Sequence, residues 1–355
     1  MAKGQPLWVQ DSRGFAKGHP YVGGWASYHG YSFPGREATE GKILDVIETA
    51  SREAREERFS GHESFVCRYG WLRKLYDAIS AEPKIFADEE KAMVVFGIGK
   101  NMVRSIRFWG EAFSLMEGTP TQGYRPTAFG RCLLDEESGI DPYLEDRNSL
   151  WLLHWKITTG ANLAAWNVGF QDLQDHQFTK NRFYELVKLR GRRTRKELAE
   201  STIKQHTDIF LGTYASMNQH YEAQVLDESM GSPFQELGLL KKSLTDVKDE
   251  IFLFNIGQKR GLNGKAFLYA LLDYWEQRAP NSKTLSLKEI MFGKCCLGTV
   301  FRLSEYDVIE YLDSIEEITE GQMQFMDSAD ARSVHMLRDS DPRTIKDRLG
   351  FHESE

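Results

Sequence analysis

A chain of 355 residues, 41% hydrophobic and 12% aromatic, has enough apolar surface for a sizeable core in two or three domains, which excludes a disordered chain. No apolar run approaches the roughly 18 residues of a membrane span and the N-terminus lacks the apolar centre of a signal peptide, so the sequence predicts a soluble cytoplasmic protein with no membrane partner. The net charge of −7 excludes general wrapping of nucleic acid, and four scattered cysteines (Cys67, Cys132, Cys295, Cys296) spell neither a zinc knuckle nor a disulfide framework.

Residues 1–58 mix glycine, aromatics and polar side chains and end in a helical pattern from Thr39 to Arg58, which reads as an N-terminal extension. Residues 59–134 then follow the order helix, helix, turn, helix, extended stretch. The spacing predicts a first helix over Tyr69–Ser80, stopped before Pro83. A second begins at Asp88, an N-cap followed by Glu89 and Glu90, and ends at Gly97. The third follows the three-residue turn Gly97–Gly99. Met102, Ile106, Trp109, Phe113 and Met116 fall on one side of it, and Lys100, Arg104 and Arg107 on the other. In GYRPTAFGRCLLD, Pro126 and Gly130 bracket short extended pieces of the kind that form the wing of a winged helix. A helix presented this way reads DNA in the major groove, where Asn101 suits adenine edges and Lys100, Arg104 and Arg107 suit guanine or phosphate. A solvated helix face uses the same residues, and Glu111 on that face weakens its charge.

The middle, residues 135–250, is helical in pattern. Asp141, Glu145 and Asp146 stand before the apolar segment Leu150–Ile157; they suit either a Mg²⁺ site or an ordinary helix N-terminus. His154, inside that segment, reads as a hydrogen-bonded core residue. Further on, VKLRGRRTRKELAE holds the densest positive charge of the chain: Lys188, Arg190, Arg192, Arg193, Arg195 and Lys196. These would neutralise phosphates without reading sequence, or form a solvated loop between helices.

Residues 251–337 repeat the winged-helix order. Phe267–Gln277 predicts a helix, Thr284 or Ser286 caps another, Ser304–Ile318 forms the third, and MQFM with SVHML makes a hairpin. That third helix carries Glu305, Asp307, Glu310, Asp313, Glu316 and Glu317 and no cation, so it would repel phosphate. Packing, partner docking or homodimer formation suits it better, and residues 338–355 form a tail. The predicted class is mainly α (α+β), with winged helix-turn-helix units flanking a helical middle domain.

For chemistry, the densest group is GHESF: His62 as base or ligand, Glu63 as a metal-binding carboxylate and Arg68 nearby as a phosphate clamp. The competing reading has His62 and Glu63 capping the following helix and holding the N-terminal domain together by hydrogen bonds. HESFVC is not H-E-x-x-H, and GIGKN lacks the spacing and hydroxyl of a phosphate loop, so no nucleotide cofactor is expected.

Taken in order, FSGHESFVCRYGWL, FGIGKNMVRSIRFW, DPYLEDRNSLWLLHW, SPFQELGLL, FLYALLDYWE and TLSLKEI resemble a bacterial family labelled only as a domain of unknown function, found in DNA phosphorothioation and antiphage-defence gene clusters. The likeness spans about Phe59–Leu337 and includes a resemblance to the DNA-nicking component of single-stranded phosphorothioation. It implies an endonuclease that nicks one strand of double-stranded DNA so that sulfur can replace a non-bridging phosphate oxygen, with Mg²⁺ or Mn²⁺ as the expected metal. Its partners would be a cysteine desulfurase and nucleotide-hydrolysing proteins. A DNA-binding module without catalysis, or a scaffold with an acidic docking unit, also accommodates the residues.

Overall fold

The computed structural model describes residues 57–194, 197–216, 231–243, 249–328, 331–337 and 340–352, all within one unit, Arg55–Glu355. The expected helix over Thr39–Arg58 lies almost wholly outside the described residues, as do Arg195 and Lys196.

Helix α1 (Trp71–Ala81) buries Leu72, Leu75, Tyr76 and Ile79, the stripe its 3–4 spacing lays on one face. Helix α2 (Glu89–Phe96) starts where Asp88 accepts the Lys91 N–H and stops at Gly97, whose φ of 66° is the left-handed closure glycine permits. Helix α3 (Lys100–Ala112) follows, with Ile106 and Trp109 fully buried. It is shorter than the apolar pattern suggests: Ser114 takes a φ of 58°, which ends the helix, and Met116 opens strand β1. Strands β1 (Met116–Thr119) and β2 (Gly123–Pro126) pair antiparallel, Met116 opposite Pro126.

The segment from Ala128 is helical rather than extended, forming α4 (Ala128–Leu134). Thr127 Oγ1 accepts the Gly130 N–H at 2.9 Å and donates to the Ser114 carbonyl at 2.6 Å, and a Cβ at Gly130 would sit 2.1 Å from the Leu115 carbonyl oxygen. Gly130 is therefore a close-approach glycine inside a helix, not a strand breaker.

Helix α5 (Arg147–Gly160) is capped by Asp146 and buried nearly all round, as expected for a core helix. His154 accepts from Tyr214 Oη at Nδ1 (2.8 Å) and donates from Nε2 to the Val300 carbonyl (2.9 Å), the satisfied core histidine the sequence predicts. After α6 (Ala164–Asn167), strand β3 (Gln177–Thr179) leads into α7 (Lys180–Gly191) and α8 (Glu200–Tyr214). A four-stranded sheet ordered β3-β6-β5-β4 joins β3 to β4 (Ala215–Ser216), β5 (Leu240–Ser243) and β6 (Ile251–Phe254). Its β3–β6 pair spans position 250.

Helix α9 (Gly264–Arg278) packs against α5, and Asp273 ties them: it accepts from Trp155 Nε1 at 2.7 Å and lies 3.1 Å from Lys156 Nζ. Burial raises the Asp273 carboxyl, but Lys156 and Lys346 outweigh it and hold the group below the ordinary carboxylate range. Next come β7 (Thr284–Ser286), α10 (Leu287–Phe292), α11 (Leu297–Val300), α12 (Glu305–Asp313) and α13 (Ile315–Ile318). Strands β8 (Met323–Asp327) and β9 (Arg332–Met336) complete a three-stranded antiparallel sheet, order β7-β9-β8. Of the two expected caps, Ser286 is the one used, accepting the Glu289 N–H. The expected helix Ser304–Ile318 divides at Ser314, and Asp307 turns inward to complete a capping box with Ser304.

The expected tail holds a last helix, α14 (Pro342–Arg348), packed on α9. Lys346 Nζ meets Glu276 at 2.5 Å, the Phe351 ring lies 4.7 Å from that of Tyr269, and Gly350 O is 3.9 Å from Cys132 Sγ. The fold is α+β, with helices dominant and small, mainly antiparallel sheets. Among the described residues no helix is long and apolar enough to cross a membrane.

Candidate nucleic-acid interface

The GHESF segment is stitched to the inner face of α3. Gly61 has a φ of 111°, and a Cβ there would stand 2.6 Å from the Phe108 ring, so only glycine fits. Ser105 Oγ donates to the His62 carbonyl at 3.0 Å and Trp109 Nε1 to the Phe65 carbonyl at 3.2 Å. From the other side α8 contributes Gln205, whose Nε2 donates to the Glu63 carbonyl at 2.5 Å, and His206.

The two histidines settle each other's protonation. Ala165 N–H donates to His206 Nε2 (3.1 Å), so the His206 proton is on Nδ1 and points at His62 Nε2, 2.9 Å away; His62 in turn donates from Nδ1 to the Glu63 carbonyl at 2.7 Å. The rings lie edge to edge with planes 7° from parallel, as an in-line hydrogen bond requires, and His62 is 1% exposed. Burial drives both toward neutrality, bringing His62 to about 4 and His206 well below its ordinary value. Both nitrogens of each ring are occupied. The helix that follows, α1, has no side-chain cap, so His62 and Glu63 do not serve as its N-cap.

Glu63 stands differently. Its φ is 51°, its side chain is half-buried, and its charge helps raise the Arg104 guanidinium above the ordinary range, after the larger effect of the Glu89 hydrogen bond. Thus the loop's carboxylate is close enough for its charge to be felt at Arg104 on α3. On that face Lys100 and Asn101 are exposed and Arg104 and Arg107 half-buried. Lys100 Nζ reaches Glu89 at 2.6 Å and Arg104 Nε reaches it at 2.7 Å, and these two bonds hold the Glu89 carboxyl below its ordinary range. Arg58 lies 4.7 Å over the Phe108 ring and 3.7 Å from Glu111.

Sequence reasoning missed Glu89 as the counter-ion and Arg58 as a neighbour, because both approach α3 only through tertiary packing. It also missed Gln205 and His206; His206 stands 144 residues from His62, and nothing local marks it.

The other expected residues have contacts of their own or lie open to solvent. Arg68 lies against Phe65 and Trp71, 5.5 and 5.6 Å from their rings. Arg190 is ion-paired with Glu57 and Asp172, and Lys188 with Glu200 at 2.5 Å; Arg192 and Arg193 are exposed. Asp141 spends both oxygens on the Glu145 and Asp146 backbone N–H groups (3.0 and 2.9 Å), and Asp146 caps α5, so this acidic trio organises a helix start. Among the described residues no group of three or more His, Cys, Asp or Glu is placed to hold a metal ion.

Residues 59–348 match the family model described as a protein of unknown function, DUF4007. The chain belongs to the DUF4007 family. No curated protein sequence matches it. Two solved structures do, one titled an SspB crystal structure and the other a magnesium ion-bound SspB crystal structure. In each case the TM-score is 0.71 at 28% identity, covering 81% of this chain and 85% of the other. The DUF4007 match contains every part of the interface above except Glu57 and Arg58.

Proposed function

We propose that this DUF4007 protein binds double-stranded DNA through α3 and nicks one strand in a phosphorothioation system, as its similarity to SspB suggests. The observation that carries the reading is the division of α3: Ile106 and Trp109 in the core, Asn101, Arg104 and Arg107 outward, with the charge of Glu63 felt at Arg104. In this reading α1, α2, α3 and the β1–β2 hairpin form a winged helix-turn-helix, with α3 in the major groove and the hairpin along the backbone. Lys100, Arg104 and Arg107 hold phosphate, and Glu63 is the carboxylate presented to the scissile bond. His62 holds Glu63 in place and does not exchange protons with substrate.

Changing Lys100, Arg104 and Arg107 together to alanine should leave the melting temperature nearly unchanged, since exposed ion pairs contribute about 0–1 kcal/mol. The slope of log affinity against log salt should fall by roughly 2–3 units, read by fluorescence anisotropy on duplex DNA. An unchanged slope would show α3 to be only a solvated surface. Glu89→Gln should act oppositely and tighten DNA binding, because it releases Lys100 and Arg104 from their shared counter-ion.

Supercoiled plasmid tests the chemistry. With Mg²⁺ or Mn²⁺ added, wild type should give open circles and Glu63→Gln should not. Plasmid that is shifted in a gel but never nicked would make the protein a DNA-binding module of the same system.

A further inference from the structure

The C-terminal unit carries a recognition surface that DNA does not suit. Between α10, the start of α12 and the β8–β9 hairpin lies a groove of about 540 Å³, walled by Leu287, Lys288, Met291, Phe292, Glu305 and Arg332, the last paired with Glu305 and Asp327. Phe292 is 69% exposed, and Tyr306, next to Glu305 on α12, is 75% exposed. Below them Glu310, Asp313, Glu316 and Glu317 are exposed along α12 and α13. An apolar groove that continues along the chain into a run of exposed carboxylates on α12 and α13 is a protein-docking face, and a segment with an apolar anchor followed by cations complements it.

The same chain presents that complement. At the end of α7, Leu189 is 48% exposed, and Arg192 and Arg193, three and four residues on, are exposed beside it. Among the described residues neither arginine has an ion-pair partner. Among the described residues no ion pair joins α12 or α13 to α7.

We propose that a second copy of the chain seats its Leu189–Arg193 corner in the Phe292–Tyr306 groove. Leu189 enters among the apolar side chains, and Arg192 and Arg193 meet the α12–α13 carboxylates. In a twofold pair the contact is made twice, once in each direction, which doubles the buried area toward that of a stable dimer.

Analytical ultracentrifugation of the full chain at about ten micromolar tests this by exchanging charges. Wild type should sediment as a dimer. The variants Arg192→Glu with Arg193→Glu, and Glu310→Lys with Asp313→Lys and Glu317→Lys, should each be monomeric while keeping the wild-type circular dichroism. An equimolar mixture of the two should return to dimer, because both contacts are again between opposite charges. Phe292→Ala with Leu189→Ala should weaken the wild-type dimer at least about 10-fold. A monomeric wild type, or reversed variants that remain dimeric, would overturn the proposal. So would a mixture that stays monomeric with both variants folded.

Discussion

Acidifying the protein from about pH 6.5 to about pH 4.5 should remove most of its stability, measured as a steep fall in the thermal midpoint by circular dichroism. His62, His154 and His206 are all held neutral in the folded chain, first by burial, at about 4 for His62 and His154 and well below the ordinary value for His206. In the unfolded chain each takes up a proton near pH 6.5. Between these values the unfolded state binds more protons than the folded one, so stability rises with pH there and falls as pH drops. The contribution is complete above about pH 6.5 and is lost on the way down to the folded values near 4. Each proton is worth roughly 1.4 kcal/mol per pH unit, so three across two units reach up to about 8 kcal/mol, comparable with the whole stability of many domains. The two rings of the His62–His206 pair are coupled: a proton on His62 Nε2 ends their shared hydrogen bond, and one on His206 Nε2 ends the bond from Ala165 N–H. A midpoint that stays level across this range would mean the histidines are charged in the folded state.

Trp109→Ala should destabilise the protein by about 3–5 kcal/mol. Trp109 has no exposed surface, stacks on Phe113, meets Phe108 and Trp166 edge-on, and donates to the Phe65 carbonyl that holds the GHESF segment on α3. The substitution leaves a cavity and removes the nearer of the two donors to the Phe65 carbonyl. DNA binding should weaken only as far as folding does, so the affinity of the folded fraction separates Trp109 from the cationic triple. Chemical denaturation at about pH 7.5 gives the value; a loss under about 1 kcal/mol would show that the site collapses around the gap.

Local chemistry made much of this legible. Asp88 and Gly97 bracket α2 as cap and stop, Ser286 caps α10, and the apolar stripe of α3 predicts which residues enter the core. The helix at Ala128–Leu134 was not legible, because Gly130 owes its place to the Leu115 carbonyl rather than to a turn. Nor was the four-stranded sheet, whose short strands pair across long stretches of chain. In the candidate site the cations of α3 could be read from spacing. The pairing of Glu89 with them, and the burial of His62 against His206, depend on packing between distant elements and leave no periodic trace.

The last helix has a bearing on how the chain is made. Cys132, in the first helical group, meets the backbone of Gly350, 218 residues later, and Phe351 rests on Tyr269. During synthesis the N-terminal helices must therefore wait, with that side uncovered, until nearly all the remaining sequence has emerged. Stalled or truncated products lacking the segment around α14 would expose apolar surface from both ends of the chain at once, making them natural clients for chaperones and proteases.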